Sequence, residues 1–183
     1  PYLCGVSAAA LGKYDRPPTA LGWEHCATAL RVLAQRAAKS DITLGIEVVN
    51  RYDSNLINTA EQALQMIDEI GAPNVVVHLD TYQMNIEEEN YRAPVLAAGD
   101  RLGYVHISES HRGYLGTGTV DFDTFFATLR ELGYASPVVF ESFSSKVVSP
   151  ALSNTLGIWR EHWQDGMDLA KHAHAFMAER LAD

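Results

Sequence analysis

Three carboxylates and one imidazole close apolar runs in this chain of 183 residues. Glu47 follows Ile42–Ile46, Asp80 follows Val75–Leu79, His106 follows Gly103–Val105, and Glu141 follows Pro137–Phe140. They are 33, 26 and 35 residues apart. A (β/α)8 barrel of about 250 residues repeats every ~31 residues. The four residues therefore fall at equivalent places in four consecutive βα units. In a closed barrel the C-terminal strand ends converge on one mouth. Carboxylates gathered there repel one another strongly, and a divalent cation removes that repulsion. Three oxygen ligands, one nitrogen and no thiolate suit Mn2+, Mg2+ or Co2+ better than a structural zinc. Each residue alone has a plainer reading. A lone acid at a strand end is usually a solvated loop residue or a helix cap, and a His after an apolar run is usually a satisfied core residue. The shared register of Glu47, Asp80, His106 and Glu141 is what argues for a metal centre.

The elements that must hold these residues are legible as alternation. Apolar runs at Tyr2–Val6, Thr43–Val49, Val75–Leu79, Leu102–Ile107 and Pro137–Phe140 read as strands. Helical spacing covers Trp23–Lys39, with Trp23, Ala27, Leu30, Ala34 and Ala37 on one face. Asn58 or Thr59 caps a second helix that runs to Ile70 and stops at Gly71. Tyr91–Ala98 is a short helix candidate, and Phe122–Leu132 is a helix ended by Gly133. Leu156–Leu181 reads as one long amphipathic helix with a break near Gly166. Strands that alternate with helices and lack polar alternation predict a parallel sheet covered by helices, an α/β fold. Ser108–Thr119 is a Gly-rich loop, and its lone Gly116-Thr117-Gly118 is no evidence for a phosphate loop.

Composition bounds the function. Apolar residues make up 47% of the chain and charged residues 20%, which fits a globular domain with a core. The formal charge is −9 and no basic cluster exists, which argues against a nucleic-acid partner. No run approaches a membrane span, so no membrane partner is expected. Cys4 and Cys26 cannot form a disulfide framework and fit a reducing cytoplasm. The apolar start, Pro1–Gly12, lacks a basic leader and is not read as a signal peptide. His78 sits two residues before Asp80, points the same way one layer deeper, and is read as structural. His111 reads as a solvated loop residue, and Glu87–Glu89 as a solvated helix start. His162, His172 and His174 are read as lying on the last helix, with no spacing partner at a strand end.

Several stretches resemble the D-tagatose 3-epimerase (D-psicose 3-epimerase) family of xylose-isomerase-like barrels. They are Gly12–Pro18, Glu47-Val-Val-Asn-Arg51, Leu79–Glu88, the pattern His106-x-x-Glu109-x-x-Arg112, and Glu141-Ser-Phe143. The resemblance runs from about Leu3 to the final helix. It implies that Glu47, Asp80, His106 and Glu141 hold a divalent metal, commonly Mn2+. It also implies that Glu47 and Glu141 form the acid/base pair of a ketose 3-epimerase acting on a free sugar through a cis-enediolate. Arg112 matches a family arginine that binds the sugar. Asp53 stands where the family has Glu, and Gln83 where it has His; both are carried over as substrate-binding residues. Homodimers or homotetramers are implied by the resemblance alone.

Those two departures keep other chemistries open: an aldose–ketose isomerase, or an inosose-dehydratase-like lyase on the same barrel. An endonuclease of the same superfamily is disfavoured by the charge. The strand count bears on length. Only five strands are found, and the family resemblance makes them strands four to eight. The chain is thus expected to be the C-terminal five βα units of a (β/α)8 TIM barrel, residues 1–183 forming one domain that lacks its first three units. An inactive barrel fragment is a further reading. A five-strand remnant leaves two open sheet edges, and these are expected to need covering by other protein.

Overall fold

The computed structural model describes residues 1–182. Five strands alternate with helices: β1 (Tyr2–Gly5), α1 (Ala20–Ala38), β2 (Thr43–Glu47), α2 (Ala60–Ile70), β3 (Val75–Asp80), α3 (Thr81–Glu87), α4 (Ala93–Ala98), β4 (Leu102–Ile107), α5 (Phe122–Leu132), β5 (Val138–Phe140), α6 (Pro150–Leu156) and α7 (Gly166–Leu181). Every pairing is parallel and joins consecutive strands, in the order β1-β2-β3-β4-β5. The result is the expected incomplete barrel, with helices on the outer side.

Side-chain alternation divides the sheet. Leu44, Ile46, Val75, Val77, Leu79, Val105 and Ile107 are buried in the core with the helices. Against them pack Leu30 and Ala34 of α1, Met66 and Ile70 of α2, and Phe125, Phe126 and Leu129 of α5. Each large side chain so buried stabilises the fold by about 1.5–3 kcal/mol before the entropic cost of ordering it. The alternate residues Glu47, His78, Asp80 and His106 face inward. A register shift at Val77/His78 lets Val77 stand opposite Leu102 and His78 opposite Tyr104, leaving Gly103 as the extra residue. A Cβ on Gly103 would lie 2.5 Å from Val76 Cγ2, so the close approach there requires glycine.

Local signals explain most helix boundaries. Thr59, not Asn58, caps α2: Gln62 N donates to its hydroxyl and the Gln62 side chain accepts from the Thr59 backbone. Asn58 instead donates to the carbonyls of Val49 and Ser54. α1 begins three residues before Trp23, at Ala20, because the Thr19 hydroxyl caps it.

Two expectations are corrected. Glu87–Glu89 is not a helix start; it ends α3, a helix the sequence reading omitted. Asp80 itself caps α3, its Oδ1 accepting from Tyr82 N at 2.8 Å, so one residue both ends a strand and starts a helix. The acids there are engaged: Glu87 pairs with Arg51, and Glu88 accepts from Ala60 N at the start of α2. Leu156–Leu181 is not one helix either. Gly157, at φ 66°, ends α6, and the Asp165 carboxylate opens α7 by accepting from Met167 N and Asp168 N.

Among the described residues no helix is long and apolar enough to cross a membrane. Cys4 and Cys26 are free thiols.

Candidate active site

Four consecutive strand ends deliver the four expected ligands to one place. One ligand atom each from Glu47, Asp80, His106 and Glu141 lies within 4.8 Å of all the others. His106 Nδ1 is 3.4 Å from Glu47 Oε1 and 3.6 Å from Glu141 Oε1. Asp80 is fully buried, and Glu47 nearly so. The donor set fits a hard divalent ion: three carboxylates and one imidazole, with His106 Nδ1 buried and without a hydrogen-bond partner.

The electrostatics follow from this crowding. Burial, with Asp80 and Glu47 nearby, pushes the Glu141 carboxyl up to about 7 against the pull of Arg112 and His106. Burial disfavours the charged form of His106, but Glu47, Glu141 and Asp80 together outweigh it and hold the imidazole above its ordinary range. Arg112 supplies a fixed positive charge. Its Nη1 donates to Asp80 Oδ2 at 2.8 Å, Glu141 Oε2 at 2.7 Å and Ser108 Oγ at 2.6 Å. The guanidinium also lies over the Tyr82 ring, 3.9 Å from its centroid.

Arg112 reaches the site from a strained turn. Its φ is +62°, an unusual value for a side chain of this size. The turn is held from both sides. Arg112 N donates to Glu109 O, and the Arg112 carbonyl accepts from Ser142 Oγ and Phe143 N. Glu109 is the residue that sequence reasoning left without a role. It is fully buried. Its carboxylate accepts from Ser110 N and Gly116 N at 2.8 and 2.9 Å, and from Val120 N at 3.3 Å. Gly118 is explained by the same carboxylate, since a Cβ there would lie 2.3 Å from Glu109 Oε1. A Gly-rich loop that follows an acid in a strand-end pattern is the signal that could have found it.

The other two expected binding residues lie together at the rim of the cluster. Gln83 is buried, and its amide oxygen accepts from both Asn50 N, at 2.8 Å, and Asn50 Nδ2. Asp53 Oδ2 accepts from Asn50 Nδ2 at 2.7 Å and from Gln83 Nε2 at 3.4 Å. Burial pushes the Asp53 carboxyl up, against those two hydrogen bonds. Asn50 is thus a second residue missed from sequence: it ties the loop after β2 to α3. A third connection joins neighbouring strand ends, where Thr81 Oγ1 donates to Ser108 O and accepts from Ser108 N. His111 is half-buried, stacked on His162 with centroids 5.4 Å apart, rather than freely solvated. His172 is engaged with the Leu115 carbonyl at 2.8 Å.

A curled parallel sheet with ionisable residues at its C-terminal ends defines a class, and the comparisons agree. The family described as xylose isomerase-like TIM barrel matches residues 4–178, and the chain belongs to it. Within that family it is similar to a ketose 3-epimerase of Arthrobacter globiformis, 53% identical over 178 residues, 97% of this chain and 62% of that protein. An L-ribulose 3-epimerase of Mesorhizobium japonicum is 46% identical over 175 residues, 96% of this chain and 59% of that one. The crystal structure of a D-allulose 3-epimerase from Methylomonas sp. in complex with D-allulose superposes with a TM-score of 0.96 at 53% identity, covering 98% of this chain and 62% of that one. The chain therefore spans about three fifths of the length of the curated relatives it matches.

Proposed function

We propose that this chain carries the metal-binding and acid–base part of a divalent-metal-dependent ketose 3-epimerase acting on a free sugar. The observation that carries the reading is the convergence of Glu47, Asp80, His106 and Glu141 within 4.8 Å at consecutive strand ends. Relatives named for ketose, L-ribulose and D-allulose 3-epimerisation support it.

The residues suit the chemistry. Epimerisation at C3 of a ketose removes a proton next to a carbonyl and leaves a cis-enediolate with negative charge on O2 and O3. Glu47, Asp80, His106 and Glu141 would hold a divalent ion, Mn2+ first among the candidates, which would supply positive charge for those oxygens. Glu47 and Glu141 are the acid/base pair: one carboxylate takes the C3 proton and the other returns a proton to the opposite face. Arg112, anchored on Asp80 and Glu141, holds its charge beside the reacting carbons. Asp53 and the Gln83 amide orient sugar hydroxyls from the rim.

The test is proton exchange in D2O with Mn2+ added. Deuterium entering C3 of a ketopentose or ketohexose, with epimer formed, is the expected result. A protein that binds Mn2+ and exchanges no C3 proton of any such ketose would defeat the reading. Exchange at C1 or C2 would point instead to aldose–ketose isomerisation, a reading that Gln83 and Asp53, which depart from the resembling family's His and Glu, keep open. Loss of water would indicate a lyase. The proposal includes a cytoplasmic homodimer or homotetramer with no nucleic-acid partner, checked by sedimentation and by fractionation.

A further inference from the structure

One buried group beside the site is unused by that chemistry. His78 is 0% exposed, and neither of its ring nitrogens has a hydrogen-bond partner. Buried polar atoms are nearly always satisfied, so an imidazole with two idle nitrogens calls for a physical reason. Its position supplies one. His78 stands opposite Glu47 in the β2–β3 register. Its ring meets the His106 ring edge-on, centroids 4.2 Å apart. One ligand atom each from Glu47, His78 and His106 lies within 4.8 Å of the other two.

We propose that Glu47, His78 and His106 form a second metal site, one layer deeper than the first and selective for Zn2+. Two imidazoles and one carboxylate are the donor set of an open zinc site, with the fourth position free. The first site, with three carboxylates and one imidazole, favours a harder ion. The two sites share Glu47 and His106, so occupation of one excludes the other. Zinc–ligand bonds of about 2.0–2.1 Å put tetrahedral ligand atoms roughly 3.3 Å apart. The three side chains need to close by no more than about 1.5 Å from their present spacing, within reach of small χ adjustments. Zn2+ then acts as an inhibitor by taking two ligands away from the first site.

X-ray absorption on the zinc-loaded protein reads this directly. Two imidazole ligands per zinc are expected, whereas binding at the four-residue site gives one and overturns the proposal. Calorimetry on His78→Phe supplies the second measurement. Zn2+ affinity is expected to fall at least tenfold while Mn2+ affinity stays within twofold. Equal losses for both ions, or none for Zn2+, would also overturn it. Should that variant fail to fold, the absorption result on the unaltered protein decides alone. Because the site shares ligands with the one in the proposed function, Mn2+ binding and C3 exchange are read separately: their failure would count against that function and leave the zinc result standing.

Discussion

At the scale of single residues, the structure separates groups that do chemistry from groups that hold them. On the proposed mechanism Glu47→Gln and Glu141→Gln would each remove a proton-transfer group, and each is expected to lower C3 exchange by about 10^2–10^4-fold. Glu109→Gln tests a positioning residue. It replaces one acceptor oxygen with a donor facing backbone N–H groups, and is expected to cost about 1–3 kcal/mol in urea unfolding. It should also raise KM more than it lowers kcat, since the loop from Ser110 to Val120 that flanks Arg112 loses its carboxylate anchor. The pH dependence of the metal-free protein has two limbs. The Glu141 carboxyl, raised from 4.5 to about 7, contributes stability that is complete below 4.5 and is lost as pH rises through about 7. His106, held above 6.5, loses its contribution in the same direction. His78, pushed down from 6.5 to about 2 mainly by burial, works the other way and costs stability as pH falls below 6.5. Unfolding free energy is therefore expected to be flat between about pH 4.5 and 6.5, where the Glu141 and His78 slopes oppose each other, and to fall on both sides by up to about 1.4 kcal/mol per pH unit for each titrating group. Glu141→Gln should remove the opposing slope and leave stability rising toward pH 6.5, and His78→Phe should flatten the acid limb, as scanning calorimetry across pH would show. The four strand-end ligands were legible in sequence because each closes an apolar run at the repeat length of a βα unit. Asn50, Thr81 and Glu109 were not. Their work is hydrogen bonding between segments brought together by the fold, which leaves no local pattern.

At the scale of elements, periodicity and end signals carried most of the reading, and hidden caps carried the rest. β4 and α5 lie where the sequence put them, because Phe122–Leu132 has a clear apolar face and Gly133 adopts φ 69°. α3 escaped notice because its cap is Asp80, a residue whose strand-end role masks the second one. α6 is absent from the sequence expectation and the last helix is expected to start at Leu156, ten residues before α7 does, because the amphipathic spacing carries no mark of the left-handed turn at Gly157. Packing between strands offers a direct test. A Cβ on Gly45 would lie 2.4 Å from Cys4 Sγ, and β1 pairs with β2 alone. Gly45→Ala is expected to destabilise by about 1–3 kcal/mol through overpacking. Adding Cys4→Ala removes the clashing sulfur and should recover most of the loss, a non-additivity that urea titration of both variants and the double variant would measure.

At the scale of the whole molecule, the sheet is open at both edges. β1 exposes Tyr2 at 42% and Leu3 at 55%, and β5 is only three residues long and half-buried. Such edges invite pairing. The chain in isolation is expected to associate or to need a covering partner, and sedimentation would reveal this; a monodisperse, cooperatively melting monomer would contradict it. The strand order has a consequence in time. Each strand pairs only with its neighbours in the chain, so every sheet contact closes a loop of similar, modest length. The sheet can grow from one end as the chain is made, each unit docking on the last. The candidate ligands arrive in that order: Glu47, then Asp80, then His106, and Glu141 only after the short β5 has docked. The candidate centre is thus completed only with the last strand of the sheet, and it rests on the weakest edge of that sheet. Slow appearance of tight Mn2+ binding during refolding, after the helical signal has recovered, would be the kinetic record of that final step.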